Sequence, residues 1–149
     1  MVVDASAIIA VLAEEPMSAE VVVALEAGPG PFSVSPLTVF EAALGLARNR
    51  ASRNRASTSE DIQIALAAVD NFLENLPAEE IPVSSSLGRA AIAAAARFGR
   101  AVGHPAELNL GDCFSYALAA ARREPLLFIG NDFVETDARS ALADPRPRR

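Results

Sequence analysis

Two kinds of hydrophobic pattern alternate along this chain of 149 residues. Short apolar or alternating runs, typical of strands, occupy residues 1–4, 32–35 and 125–130, and a further short strand is predicted at 80–83, where Pro82 confines it to a sheet edge or a strand start. The longer segments between them carry apolar residues at helical spacing. Alternation of strands and helices predicts an α/β fold, with a mainly parallel sheet covered by helices on both faces.

Several helix starts carry a side chain that can accept hydrogen bonds from the first turn. These starts are Ser6, Ser35 followed by Pro36, Ser57 with Glu60, residues 84–86, and Asn109 with Asp112. In the last helix, Phe114, Ala117 and Leu118 follow at the spacing of a core-facing stripe. Asp112 is therefore predicted at the rim of a buried helix, either as a capping acid favoured by the helix dipole or as a ligand carboxylate.

Two more acids stand directly after predicted buried strands. Asp4 follows the first strand, and Asp132 follows the apolar run 125–130. Ligands of open α/β sheets bind at the carboxyl ends of the strands, where both acids are expected. For Asp4 alone, a turn residue with a local hydrogen bond remains an equal alternative.

A fourth acid interrupts an apolar helix. Glu41 is the only charged residue in the segment 39–47 and shares a helical face with Leu37 and Leu44. A partly buried carboxylate must be paired, protonated or bound to a metal, because an isolated buried charge is costly. An exposed Glu41 on a narrow polar stripe is the alternative.

Composition narrows the possible chemistry. The formal net charge is −6 and all thirteen basic residues are arginine, so mechanisms that need a catalytic or phosphate-binding lysine are excluded. The single cysteine, Cys113, is expected to be a buried hydrophobe, and the single histidine, His104, receives no role. One domain spanning residues 1–149 is expected, with a flexible tail from about residue 140, and the lack of long apolar runs or a signal peptide predicts a cytoplasmic protein without membrane segments.

A five-residue repeat at 48–57 places four arginines close together in a basic connector. Arginine forks suit phosphate oxygens, so this segment could contact phosphates. A solvated loop is the plainer interpretation, and we prefer it.

The topology brings the four acids, Asp4, Glu41, Asp112 and Asp132, towards the same edge of the sheet. Like charges in one pocket cost stability unless a cation joins them, so the cluster predicts a site for a hard divalent ion. With only oxygen ligands nearby, Mg²⁺ or Mn²⁺ is expected rather than zinc or copper. Such an ion can activate water for attack on a phosphodiester.

Four motifs, in this order, resemble those of PIN-domain ribonucleases, specifically the VapC toxins of bacterial toxin–antitoxin pairs. They are Val3 to Ser6, Ser35 to Glu41, Leu110 to Ala117 and Leu127 to Phe133. The resemblance implies a three-layer α/β/α PIN-like domain and a Mg²⁺-dependent endoribonuclease. It further implies that RNA such as tRNA is the substrate, that the chain forms a homodimer, and that a small cognate antitoxin silences it.

The resemblance also implies roles for individual residues. Asp4 and Asp112 would be the most direct metal ligands, and Glu41 and Asp132 would complete the acidic site. Ser6 would be a polar residue that contacts the ligands and not the metal. Because the fourth acid varies in position within the family, Asp137 is the alternative to Asp132. Two other functions stay open: a small metal-dependent phosphatase, for which Ser6 stands where a second acid is wanted, and a non-catalytic acidic module that binds a basic partner.

Overall fold

Four short parallel strands form the centre of the molecule, in the order β3–β2–β1–β4. The computed structural model describes residues 1–51 and 55–146. The strands are β1 (Val2–Val3), β2 (Phe32–Val34), β3 (Ala78–Glu80) and β4 (Leu126–Leu127). The helices are α1 (Ala5–Leu12), α2 (Ser18–Ala27), α3 (Pro36–Arg50), α4 (Ser59–Glu74), α5 (Ser85–Phe98) and α6 (Leu110–Arg122), and one 3-10 turn spans Arg100–Val102.

The two faces of the sheet are buried in two separate cores. Because successive strand residues point to opposite faces, Val2 and Leu126 pack with α5 and α6, whereas Val3 and Leu127 pack with the helices α1 to α4. The sheet thus lies between two helical layers. This arrangement confirms the predicted three-layer α/β/α fold with a parallel sheet.

All four strands differ from their predicted bounds, and β3 and β4 differ most. β3 begins at Ala78, two residues earlier than expected, and is the edge strand paired with β2. Its pairing ends with the Ile81 N–H, which donates to the Val34 oxygen at 2.8 Å, because Pro82 has no N–H to continue it. β4 pairs only at residues 126–127, since β1 is equally short and gives way to a helix after Val3.

Helix caps follow the predicted chemistry with two corrections. Ser35 and Ser84 cap α3 and α5 as expected. At α1, the capping residue is Asp4 and not Ser6, whose N–H instead donates to the Asp4 carboxylate. At α4, Thr58 with Asp61 forms the capping box, one residue beyond the predicted pair, because the Asp61 carboxylate reaches back to the Thr58 N–H at 2.8 Å.

The segment after residue 139, predicted as a flexible tail, makes backbone hydrogen bonds with the sheet region. The Ala141 N–H donates to the Leu126 oxygen at 2.9 Å, and the Gly130 N–H donates to the Pro145 oxygen at 3.0 Å. The last three residues of that predicted tail, and residues 52–54 of the basic repeat, lie outside the described residues. No helix in the described part of the chain has the length and apolar character needed to cross a membrane.

Candidate metal centre

Asp4 occupies the junction between β1 and α1, where the chain turns from strand to helix. Its carboxylate accepts three hydrogen bonds: from the Ser6 N–H at 3.0 Å, from the Ser6 hydroxyl at 2.6 Å and from the Ser115 hydroxyl at 2.7 Å. The Ser6 oxygen also accepts the Ile129 N–H at 3.1 Å, which ties the site to the segment after β4. Asp4 is only 5% exposed, so these bonds fix a buried carboxylate in one orientation.

Asp112 lies in the first turn of α6. One carboxylate oxygen accepts the Asn109 N–H at 2.8 Å, and the Asn109 side chain accepts the N–H groups of Gly111 and Asp112, which completes the predicted capping box. Burial raises the pKa of Asp112 to about 7, against the lowering effect of the Asn109 hydrogen bond; the negative charges of Asp4, Asp132 and Glu41 raise it further. The charges of all three other predicted acids therefore act on the Asp112 carboxyl.

Glu41 reaches the same place from α3. Its carboxylate lies against the backbone of Gly111, at the start of α6, and the residue is half-buried as predicted. Burial is the main cause that raises the pKa of Glu41, followed by the charge of Asp4, while Arg48 lowers it. Glu41 thus sits between the Asp4 and Asp112 segments.

Asp132 follows β4 and is the most exposed of the four. Partial desolvation of its carboxyl raises the pKa of Asp132, and the charge of Asp4 raises it further, whereas Arg100 lowers it and Glu107 raises it. The structure therefore places Asp132 in the electrostatic field of the same acidic group. Its place as a ligand stays a prediction.

The alternative acid, Asp137, is not brought to this group. Its carboxylate accepts a short hydrogen bond from the Tyr116 hydroxyl and pairs with Arg97 at 3.0 Å. Those two bonds lower the pKa of Asp137, which marks it as a stably ionised partner of a cation. Its contacts assign Asp137 to the packing of α5 and α6.

Ser115 is a residue that the sequence analysis missed. It is 3% exposed and lies one helical turn after Asp112, on the face of α6 that meets β1. Its spacing from Asp112 was a usable signal, since residues three apart share a helical face. A serine in an alanine-rich helix gave no indication, however, that its partner would be Asp4, 111 residues away along the chain.

The four predicted acids offer only oxygen donors, the ligands that a hard divalent ion prefers. Within residues 1–51 and 55–146, no three acidic, histidine or cysteine side chains stand close enough to hold a metal ion as they are placed. The four acids are instead related electrostatically, since the charges of Asp4, Asp132 and Glu41 all raise the pKa of Asp112. An open set of oxygen donors suits Mg²⁺, which keeps several waters and takes phosphate oxygens from a substrate. Soft metals would require thiolate or imidazole ligands, and the one cysteine, Cys113, is buried.

The chain has a counterpart among known protein families. The family model of the PIN domain matches residues 1–139. A VapC ribonuclease of Rhizobium meliloti is 44% identical over 137 residues, covering 91% of this chain and 96% of the relative. This chain therefore belongs to the PIN domain family.

Further relatives place the chain more narrowly. Ribonuclease VapC28 of Mycobacterium tuberculosis is 41% identical over 142 residues, covering 95% of this chain and 98% of the relative. The resemblance to VapC ribonucleases is thus confirmed, and with it the class of enzyme predicted from the motifs.

Solved structures agree on the fold. VapC20 of Mycobacterium tuberculosis, a sarcin–ricin loop cleaving toxin, has a TM-score of 0.68 at 17% identity and covers 92% of this chain and 95% of its own. A chain of a toxin–antitoxin complex from Klebsiella pneumoniae has a TM-score of 0.59 at 20% identity, over 89% of this chain and 88% of its own. At these identities the likeness concerns the fold alone.

Proposed function

We propose that this chain is a Mg²⁺-dependent endoribonuclease that acts as the toxin of a toxin–antitoxin pair. Asp4 and Asp112 are its most direct metal ligands, and Glu41 and Asp132 complete the acidic site. The observation that carries the proposal is that three acidic segments meet: the Glu41 carboxylate lies against Gly111, next to Asp112, and the buried Asp4 carboxylate is held by Ser6 and by Ser115 of the same helix as Asp112. Burial and the charges of the other three acids accordingly raise the pKa of Asp112. Carboxyl groups so destabilised as anions gain most when a divalent cation joins them.

The chain's own residues prepare this site for a metal and a phosphodiester. The Ser6 and Ser115 hydroxyls donate to the two oxygens of Asp4, and the Asn109 N–H donates to one oxygen of Asp112. When bound, Mg²⁺ supplies Lewis-acid chemistry that activates water and neutralises charge on the leaving oxygen. No lysine, histidine or serine nucleophile is needed, which agrees with a chain that has no lysine. Mn²⁺ is the expected substitute.

RNA, with tRNA as a candidate, is the proposed substrate, and the cytoplasm is the proposed place of action. A small cognate antitoxin is the proposed inhibitor, because an arginine of a partner would pair with these carboxylates. A homodimer is also proposed; Ile92 on α5 and Leu110 on α6 are 70% and 69% exposed and offer apolar contact surface.

Metal-dependent cleavage tests the proposal directly. Purified protein is incubated with a structured RNA and with a phosphomonoester, with Mg²⁺ or Mn²⁺ and again after chelation. We expect RNA cleavage that needs the metal and little phosphomonoester hydrolysis. Hydrolysis of the phosphomonoester alone would favour a phosphatase and overturn the proposal.

Carboxamide variants separate catalysis from folding. Asp4→Asn and Asp112→Asn should abolish RNA cleavage and the growth inhibition caused by induced expression, while the fold survives. Mg²⁺ should raise the melting temperature of the wild type, as any ligand of the native state does, and Asp112→Asn should reduce that rise. Asp70→Asn, at an exposed position of α4, is the matched control and should behave as the wild type. Full cleavage by Asp112→Asn would show that catalysis does not need this carboxylate and would overturn its assignment as a metal ligand.

A further inference from the structure

Arg48 lies on α3 two turns beyond Glu41, on the same side of the helix. A guanidinium nitrogen of Arg48 comes within 3.8 Å of the position that a β-carbon on Gly45 would occupy. The side chain therefore runs back along the helix towards Glu41, over a residue with no side chain to block it. Its positive charge acts on the Glu41 carboxyl.

Arg100 lies in a different part of the chain, beside the start of α6. It opens the 3-10 turn after α5, and its N–H donates to the Leu108 oxygen at 3.2 Å, beside a bridge between Gly99 and Leu108. Asn109, the next residue, caps α6, so Arg100 is fixed next to the helix start that carries Asp112. Its charge acts on Asp132.

Both arginines remain available for an anion. In the described ranges, ion pairs occupy five other arginines, namely Arg50, Arg55, Arg97, Arg122 and Arg146, but neither Arg48 nor Arg100. Both are exposed. Arg48 lowers the pKa of Glu41 and Arg100 lowers that of Asp132, and in those ranges no other cation lowers the pKa of Glu41, Asp112 or Asp132.

A polyanionic strand faces repulsion as it approaches four carboxylates on a protein with a net charge of −6. We propose that Arg48 and Arg100 bind backbone phosphates of a single-stranded RNA segment on the two sides of the acidic centre. The guanidinium fork matches phosphate oxygens and keeps its charge at any physiological pH. The strand then spans the mouth of the site from the α3 side to the 3-10 turn. This inference rests on the proposed function and assigns the substrate contacts of that site.

Salt-dependent binding measures each contact. A labelled single-stranded RNA oligonucleotide is titrated with the Asp112→Asn protein, which is expected to bind without cutting, over a range of NaCl concentrations. Each phosphate contact contributes about 0.7 to the slope of log binding constant against log salt for a single strand. Arg48→Gln and Arg100→Gln should each flatten the slope by about 0.7 and together by about 1.4. Arg48→Lys should restore most of it.

Arg89→Gln is the matched control, because Arg89 is exposed on α5 and is not among the charges that shift the pKa of Glu41, Asp112 or Asp132. Its slope should equal that of the parent protein. The inference fails if the Arg48→Gln and Arg100→Gln slopes stay unchanged, or if Arg89→Gln flattens the slope equally. It also fails if the two variants only strengthen Mg²⁺ binding, measured as a larger rise in melting temperature, since the arginines would then merely offset the acids.

Cleavage by the wild-type chain distinguishes this inference from the proposed function. If the wild type cuts RNA with Mg²⁺ while the arginine variants keep the parent slope, only the phosphate contacts are wrong. If the wild type cuts no RNA, the proposed function fails whatever the slopes are. Support requires both metal-dependent cleavage and flattened slopes.

Discussion

The carboxylate of Glu41 lies against the backbone of Gly111, so the second residue of α6 has no room for a side chain. A methyl group at this position would overlap the carboxylate. Because the end of a glutamate side chain can move, Gly111→Ala should displace Glu41 without unfolding the protein. Alanine also favours helix over glycine by up to about 1 kcal/mol. We therefore expect an equal or higher melting temperature without metal, together with strongly reduced RNA cleavage and a smaller stabilisation by Mg²⁺.

Gly88→Ala on α5 is the control for this effect. A β-carbon at Gly88 would meet no atom within 4 Å, so the substitution should raise helix stability and leave cleavage unchanged. Equal cleavage by the two alanine variants would contradict a functional role for the contact between Glu41 and Gly111.

The raised pKa of Asp112 predicts how the metal-free protein responds to pH. The unfolded carboxyl titrates near 3.8 and the folded one near 7, so the native state binds more protons between these values. The free energy of unfolding should therefore fall as pH rises through this window, by up to about 4 kcal/mol for this residue, since one pKa unit corresponds to about 1.4 kcal/mol. Chemical denaturation at several pH values in the presence of a chelator measures the effect.

Asp112→Asn removes this titration and isolates the contribution of the residue. Its unfolding free energy should depend less steeply on pH between about 4 and 7 than that of the wild type, and Mg²⁺ should reduce the wild-type dependence. Parallel curves for the two proteins would show that Asp112 ionises in the folded protein as it does in the unfolded chain.

Local sequence signals predicted part of this site correctly. The capping arrangement of Asn109 and Asp112 depends on residues three apart, and it forms as expected. At α1 the same reasoning chose Ser6 as the cap, although Asp4 takes that place, because serine and aspartate cap helices almost equally well and only the end of β1 decides between them.

Contacts between segments that are distant along the chain could not be predicted from the sequence. The bond between Ser115 and Asp4, and the approach of Glu41 to Gly111, depend on how α3 and α6 pack across β1. The segment 48–57 was predicted to be a solvated loop, and the described part of it differs from that prediction. α3 continues through Arg48 to Arg50, beyond the last apolar residue of its stripe. Arg55 pairs with Asp61 of α4 at 2.7 Å, a partner six residues further along the chain that the loop prediction did not include.

Ser115→Ala should remove one of the hydrogen bonds that orient the Asp4 carboxylate. The variant removes a buried donor to a carboxylate, so we expect a loss of stability of about 1.5–3 kcal/mol. Groups that orient a metal ligand are commonly worth about 10–100-fold in metal affinity or activity, and a similar loss of RNA cleavage is expected here. Ser59→Ala, at the exposed start of α4, is the control and should change neither quantity. Unaltered metal affinity in Ser115→Ala would mean that Ser6 alone positions Asp4.

The surroundings of Asp132 and Asp137 predict opposite effects on RNA cleavage when each acid is replaced. Asp132 lies in the field of Asp4, whereas Asp137 is held by Tyr116 and Arg97. Asp132→Asn should therefore reduce Mg²⁺-dependent cleavage and the stabilisation by Mg²⁺, with little change in the metal-free melting temperature. Asp137→Asn should lower the melting temperature slightly, since its ion pair is exposed and such pairs contribute little, and should leave cleavage intact. Cleavage lost in Asp137→Asn but kept in Asp132→Asn would reverse the assignment and require the segment after β4 to rearrange when metal and RNA bind.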